Sequence, residues 1–155
     1  MKKYIYVVIG LIVVIFGTFM IFTKFQEYMA NYAAKQNQQR EFAILKNIST
    51  MLSDKELNKQ QRQQKYNIAD AQITLMCTYK LVYYNNPFAY NEFLYLLQTG
   101  NEDGMKEFAK RTAPKALQLE FNHPNSTQDI MRCKQIFGST IEQLMSGGSL
   151  SFMLD

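Results

Sequence analysis

The strongest constraint on this chain is a run of 20 residues without a charge, from Tyr4 to Thr23. As an α-helix that rises about 1.5 Å per residue, the run spans about 30 Å, the thickness of the hydrocarbon core of a bilayer. It is longer than the apolar segment of a cleavable signal peptide, and Lys24 and Glu27 follow where small residues would mark a cleavage site. The run therefore predicts an uncleaved transmembrane helix, with a signal peptide as the alternative.

Flanking charges indicate how this helix is oriented. Lys2 and Lys3 form a compact basic cluster before the run, whereas the basic residues after it are dispersed. Because positive clusters stay on the cytoplasmic side, residues 1–3 are expected to be a basic cytoplasmic tail. We therefore expect a single-pass protein of the cytoplasmic (inner) membrane, with residues 24–155 on its outer, periplasmic side. Gly10 and Gly17 lie on one face of the helix, which leaves homo-oligomerisation through the span open beside a monomeric anchor.

The chain has two cysteines, Cys77 and Cys133, and both follow the uncharged run. An even pair in a small domain is typical of an oxidising compartment, which agrees with the expected orientation. Each cysteine lies in one of the most apolar predicted helices. The placement predicts a disulfide bond between the two helices, with two separate buried thiols as the alternative.

Helical periodicity continues after the run and predicts an all-α protein. Residues 24–66 are expected to form a helical stalk or linker, because residues 35–40 (KQNQQR) are polar on every face. Ser53 and Glu56 have the spacing of a capping box, which predicts a new helix from Asp54.

Residues 67–155 are expected to form a small irregular bundle of about five or six helices. Asn86-Pro87 and Thr99-Gly100 mark helix boundaries, and Thr112 to Pro114 is expected to break another helix. After that break, Ala116, Leu117 and Phe121 would form the apolar side of the next helix. The clearest amphipathic stripe comes last in the bundle and consists of Ile130, Cys133, Phe137, Ile141 and Leu144.

The sequence offers no motif for catalysis, metal binding or cofactor binding. The only histidine, His123, stands in a proline turn without the partners of a zinc site or a catalytic base. Glu92 is the acidic residue that would be a candidate catalytic carboxylate if it were buried, and an enzyme acting on envelope glycans through such carboxylates is the alternative of a different class. Without Lys2 and Lys3, 15 basic residues face 13 acidic ones, so nucleic-acid binding is not expected. We expect no enzyme activity, metal or cofactor.

Aromatic residues are the remaining signal for function. They crowd the helical hairpin around Asn86-Pro87, and a short helix cannot bury all of them on one face, so some are expected in a protein interface. The tail after Gly147-Gly148 is a second apolar segment able to dock. The predicted interface residues are Tyr83, Tyr84, Phe88, Tyr90, Phe93, Tyr95, Leu150, Phe152 and Leu154.

These features predict a membrane-anchored protein that acts by binding another protein, whose identity the sequence does not give. It would be a structural or assembly component of an envelope or secretion complex. The alternative is an immunity or inhibitor protein that neutralises an envelope-acting toxin or hydrolase.

Overall fold

The structure, a computed structural model, describes the backbone of residues 2–147 and the side chains of residues 15, 16, 18–119 and 121–147. Helices make up most of this part of the chain, which contains no strand, so the prediction of an all-α protein is confirmed. The six helices are α1 (Lys2–Leu52), α2 (Lys59–Val82), α3 (Pro87–Thr99), α4 (Glu102–Leu117), α5 (Leu119–Asn122) and α6 (Ser126–Met145).

The uncharged run lies in the first part of α1. The backbone helix continues without a break from Lys2 to Leu52. Within the described part of the chain, no helix is long and apolar enough to cross a membrane. In the run from Tyr4 to Thr23, the side chains of residues 4–14 and 17 lie outside the described residues.

The second half of α1 belongs to the helical domain, which corrects the expectation of a stalk over residues 24–66. Ile44, Leu45 and Ile48 are at most 4% exposed and contribute to the core shared with α2, α3 and α6. The polar interval at residues 35–40 is not solvated on every face, because Asn37 is only 6% exposed and bonds to α3. The bundle is thus built around α1.

The connection between α1 and α2 corrects the predicted capping box. The hydroxyl of Ser53 donates to the carbonyl oxygen of Ser49 at 2.7 Å, as part of the end of α1. The capping box is formed instead by Asn58 and Gln61, whose side chains each accept a hydrogen bond from the other's backbone N–H. Helix α2 therefore begins at Lys59, five residues later than Asp54.

Helix boundaries around α3 follow the sequence signals, whereas the predicted break near Pro114 is wrong. Asn86 caps α3, Pro87 begins it, and Gly100 ends it in the left-handed conformation with φ 63°. Helix α4 passes through Pro114 to Leu117. Pro114 removes one hydrogen bond of the helix, the one to the carbonyl oxygen of Lys110, and the buried Thr112 and Phe108 hold the helix in place.

The core is a cluster of aromatic rings closed by a disulfide bond. Phe93 is fully buried, with its ring centroid 4.5 Å from that of Tyr79 and 5.8 Å from that of Phe108. The predicted bond between Cys77 and Cys133 is present and ties α2 to α6 with 5.8 Å between the Cα atoms. The stripe predicted for α6 is also confirmed, since all five of its residues are buried in the core or packed against it.

Candidate binding surface

The predicted aromatic interface divides into a buried and an exposed set. Tyr83, Tyr90 and Phe93 are 7%, 4% and 0% exposed, so they are core residues and their prediction as interface residues is corrected. Tyr90 packs on Phe93, and Phe93 and Tyr83 each pack on Phe108, because helices α2, α3 and α4 turn these rings toward a common centre.

The other three aromatic residues lie at the surface. Tyr84 is 76% exposed, and Phe88 and Tyr95 are each 49% exposed. The guanidinium carbon of Arg40 lies 5.0 Å from the ring centroid of Tyr95, which occupies one face of that ring. The tail residues Leu150, Phe152 and Leu154 lie outside the described residues.

A buried carboxylate links three helices. Glu41 of α1 accepts hydrogen bonds from Lys80 of α2 at 2.8 and 3.0 Å and from the hydroxyl of Tyr90 of α3 at 2.8 Å. Burial, the nearby charge of Glu41 and the hydrogen bond to it raise the pKa of Tyr90 far above its ordinary value. Nothing in the sequence indicated this network, since its members are 39 and 49 residues apart.

Asn37 supplies a second polar link between α1 and α3. Its side-chain amide donates to the carbonyl oxygen of Pro87 at 2.9 Å, and its oxygen accepts from Asn91 at 2.8 Å. Pro87 and Tyr84 also line a pocket of about 220 Å³ together with Ala34. The turn between α2 and α3 therefore lies at the level of residues 34–37, at the end of the domain that faces the uncharged run.

A larger pocket of about 410 Å³ opens on the other side of this turn. The end of α2 and the α2–α3 turn form one wall, and the α4–α5 junction forms the other. The Nζ atom of Lys115 lies 5.4 Å from the ring centroid of Tyr83, and burial raises the pKa of that tyrosine. The polar residues that line the pocket are Tyr83, Tyr84, Asn85, Asn86, Lys115, Gln118, Asn122 and His123.

The α4–α5 segment carries the two most exposed large apolar side chains of the described residues. Leu117 is 86% exposed and Phe121 is 89% exposed. They are four residues apart on a nearly continuous helical segment and thus share a face, whereas Leu119 between them is 6% exposed and packs inward. Leu117 and Phe121 thus lie on one side of the segment, and that apolar side is exposed.

The residues considered for chemistry have structural surroundings. Glu92 accepts a hydrogen bond from Arg111 at 2.6 Å at the surface, and this bond and the charge of Glu92 raise the pKa of Arg111. His123 follows α5 and is half-buried at the pocket wall. The described residues contain no group of three or more His, Cys, Asp or Glu side chains placed to hold a metal ion.

Comparisons with protein-family models, with curated proteins and with solved structures each found no match to this chain.

Proposed function

We propose that this chain is a single-pass membrane protein whose helical domain lies on the periplasmic side of the inner membrane and binds another protein. In this proposal, the domain is a structural or assembly component of an envelope complex. The observation that carries the binding role is the exposure of Leu117 and Phe121 on one face of the α4–α5 segment. Large apolar groups exposed together mark interaction sites in soluble domains.

Support for the membrane anchor comes from the sequence and from the exposed part of α1. The run from Tyr4 to Thr23 carries no charge. Beyond its midpoint, Phe16, Phe19, Met20, Ile21 and Phe22 are each at least 57% exposed, although they lie on several faces of the helix. A helix that is apolar on all sides is stable in a membrane or a protein core, and unstable when surrounded by water.

The proposed orientation is supported by charge and by the disulfide bond. Lys2 and Lys3 precede the run, in agreement with a cytoplasmic N-terminal flank. The bond between Cys77 and Cys133 lies on the other side of the run. Disulfide bonds persist in an oxidising compartment such as the periplasm, so both features favour the same orientation.

Alkaline carbonate extraction tests the anchor. The double variant Val13→Arg/Val14→Arg places two charges at the centre of the run, where each disfavours insertion by about 2.5–3.5 kcal/mol. We expect this variant in the carbonate-soluble fraction and the matched variant Val13→Leu/Val14→Leu in the membrane pellet. Wild-type protein in the soluble fraction would refute the anchor.

Crosslinking in membranes tests the binding role. We expect the variant Leu117→Ser/Phe121→Ser to lose a crosslinked complex that wild-type protein forms. The control Met131→Ser/Ile136→Ser replaces two α6 side chains that are each 59% exposed and should retain the complex. Equal crosslinking of both variants would exclude Leu117 and Phe121 as the contact.

Exchange of the anchor separates the assembly role from the inhibitor role. Residues 4–23 are replaced by an unrelated uncharged sequence of the same length, so that the domain stays at the membrane. An assembly component built through its span loses the complex. Retention of the complex, together with reduced activity of the bound partner, would favour the inhibitor.

A further inference from the structure

The segment of α1 between the uncharged run and the domain carries three large aromatic side chains on one face. Phe25, Tyr28 and Tyr32 follow one another at steps of three and four residues, so they form an aromatic stripe along the helix. Each of them is 51–65% exposed. Polar or small residues occupy the sides of the segment away from the aromatic stripe, and they include Gln26, Glu27, Asn31 and Ala34.

The aromatic stripe points away from the helical domain. Nine residues of an α-helix make about two and a half turns, so residues nine apart lie on opposite sides. Asn37 lies nine residues after Tyr28, is buried and bonds to α3. Glu41 lies nine residues after Tyr32, is buried and bonds to α2 and α3. A second helix can therefore contact the aromatic stripe while the domain occupies the opposite side of α1.

The aromatic stripe extends beyond the headgroups of the proposed membrane. Tyr32 is nine residues after Thr23, the last residue of the uncharged run, and thus about 14 Å further along the helix. The headgroup layer on one side of a bilayer is only about 5–7 Å thick, and a helix tilt of about 20° lowers Tyr32 by no more than about 1 Å. Lipid also surrounds a helix on all sides, whereas the aromatic stripe occupies one. A protein helix therefore fits this face better than lipid does.

A second copy of the chain presents the matching face at the matching height. Two copies anchored in the same orientation have parallel α1 helices, so each aromatic stripe meets the other at the same level. Steps of three and four residues are the spacing of the a and d positions in a parallel coiled coil. Ile21 lies four residues before Phe25 on the same face and is 72% exposed, so the spacing continues into the run.

Charges beside the aromatic stripe are compatible with an identical partner. Asn31 and Gln36 flank the stripe on its two sides, and both are uncharged. Lys24 pairs with Glu27 of its own helix at 3.3 Å. Identical flanks therefore bring no unpaired like charges together over this segment, which is the condition for parallel helices of one sequence to associate.

The contact has a limit toward the domain. The next residues on the same face are Lys35 and Gln39, both exposed, and two Lys35 side chains at one level repel each other. The six aromatic side chains of two stripes expose about 700 Å², less than the roughly 1,200 Å² of a stable interface. The facing side of the run must supply the rest of the contact.

We infer that two copies of this chain pair in the membrane through the aromatic stripe, and that the contact continues into the run at Ile21. The two domains then lie on the outer sides of the pair. This inference rests on the proposed function, because the membrane anchor makes the two helices parallel.

Cysteine crosslinking of the full chain in membranes tests the contact. The two native cysteines are bonded to each other, so an introduced cysteine supplies the free thiol. Cα atoms more than about 7 Å apart do not form a disulfide bond, so Tyr28→Cys and Tyr32→Cys should give at least about fivefold more oxidised dimer than the controls. The controls are Glu27→Cys and Ala34→Cys, which are exposed positions on the sides away from the aromatic stripe.

Removal of two rings should weaken the pair. Tyr28→Ser/Tyr32→Ser deletes two aromatic contacts from each side, and we expect the dissociation constant of the dimer to rise about tenfold. Tyr66→Ser/Tyr84→Ser makes the same change at two exposed tyrosines of the domain and should leave the constant unchanged. Energy transfer between donor-labelled and acceptor-labelled full chains in phosphatidylcholine vesicles measures the constant.

Three outcomes would overturn the inference and leave the anchor and the binding role intact. The first is a wild-type protein that is monomeric in the vesicles but stays in the carbonate pellet. The second is equal crosslinking of Tyr28→Cys and Glu27→Cys, or crosslinking of Tyr28→Cys to another protein alone. The third is loss of the dimer in Leu117→Ser/Phe121→Ser, which would assign self-association to the α4–α5 segment. Wild-type protein in the carbonate-soluble fraction would refute the anchor and the inference together.

Discussion

The two halves of α1 differ in which side chains they expose to solvent. Between residues 15 and 32, Phe19, Phe22 and Tyr28 are 57–65% exposed. Between residues 33 and 52, Asn37, Glu41 and Ser49 are at most 7% exposed, together with the apolar residues around them. One unbroken helix thus displays apolar side chains at one end and buries polar ones at the other.

This contrast shows that partners, more than composition, decide what a helix buries. Glu41 is buried because Lys80 and Tyr90 satisfy its carboxylate, so its desolvation is offset by charge-assisted hydrogen bonds. The aromatic side chains described in the first half are at least 51% exposed, and such side chains are suited to a surrounding other than water. The domain provides the partners for one half, and the proposed membrane provides them for the other.

Removal of the disulfide bond should give the largest effect. In the chain-entropy treatment, a bond that closes a loop of 56 residues contributes about 4 kcal/mol. We expect Cys77→Ser/Cys133→Ser to lower the free energy of unfolding by about this amount and to speed amide exchange in residues 33–52. Residues 15–30 should exchange as before. Equal acceleration in both halves would show that α1 opens as one unit and would break the comparison.

The second largest difference between the two halves should come from truncation of one apolar side chain in each. Leu45 is 1% exposed, and Leu45→Ala leaves a cavity, which lowers the free energy of unfolding of the domain by about 3 kcal/mol. Phe22 is 57% exposed, and Phe22→Ala should change it by less than about 0.5 kcal/mol. Urea titration of the full chain in detergent measures both values. Similar losses would mean that the domain also covers the first half.

Each half also contains a glutamate paired with a lysine. Glu41→Gln weakens a buried network and should destabilise the domain by about 1–2 kcal/mol, reduced because Lys80 is half exposed to solvent. Glu27 pairs with Lys24 at 3.3 Å where both side chains are at least 64% exposed. Glu27→Gln should therefore have an effect below about 0.5 kcal/mol. Comparable values for the two variants would argue against a structural role for the Glu41 network.

The smallest difference between the two halves should appear in the loss of stability at alkaline pH. The pKa of Tyr90 is raised in the folded protein, so its contribution to stability is full below about pH 10 and is lost as the pH rises beyond that value. The loss from this group is at most about 0.7 kcal/mol over half a pH unit. Denaturation at pH 9–10.5 should show a shallower decline for Tyr90→Phe than for wild type. The exposed Tyr32→Phe serves as control, and an unchanged decline in Tyr90→Phe would contradict the prediction.

Local signals in the sequence predicted much of the fold. The apolar spacing of α6, the proline that begins α3 and the glycine that ends it depend on neighbours within a few residues. The pairing of Cys77 with Cys133 also followed, because the chain offers only one pair. Features set by contacts between distant segments were missed. The local sequence pattern predicts that Asn37 and Glu41 are exposed to solvent. Their hydrogen-bond partners lie 39–54 residues away in the chain, so no local pattern shows that these side chains are buried.

The candidate surface was predicted only in part. Tyr84 and Phe88 were expected at an interface and are exposed, but the same pattern also selected Phe93, which is fully buried. Sequence does not distinguish these rings, because the angle between α3 and its neighbours decides which of them turn inward. Leu117 and Phe121 were missed since Pro114 was interpreted as a helix break, and Leu119 takes the inward position instead.

The continuity of α1 has a consequence for the direction in which the domain faces. From Thr18 to Leu52 the helix contains neither glycine nor proline, so no flexible joint separates its two halves. Each residue of an α-helix turns the chain by about 100°. One residue inserted between Glu27 and Ala30 would rotate the whole domain by that angle and turn Lys115, Leu117 and Phe121 to another side. The number of residues in this segment therefore fixes the direction in which the domain faces relative to the first half of α1.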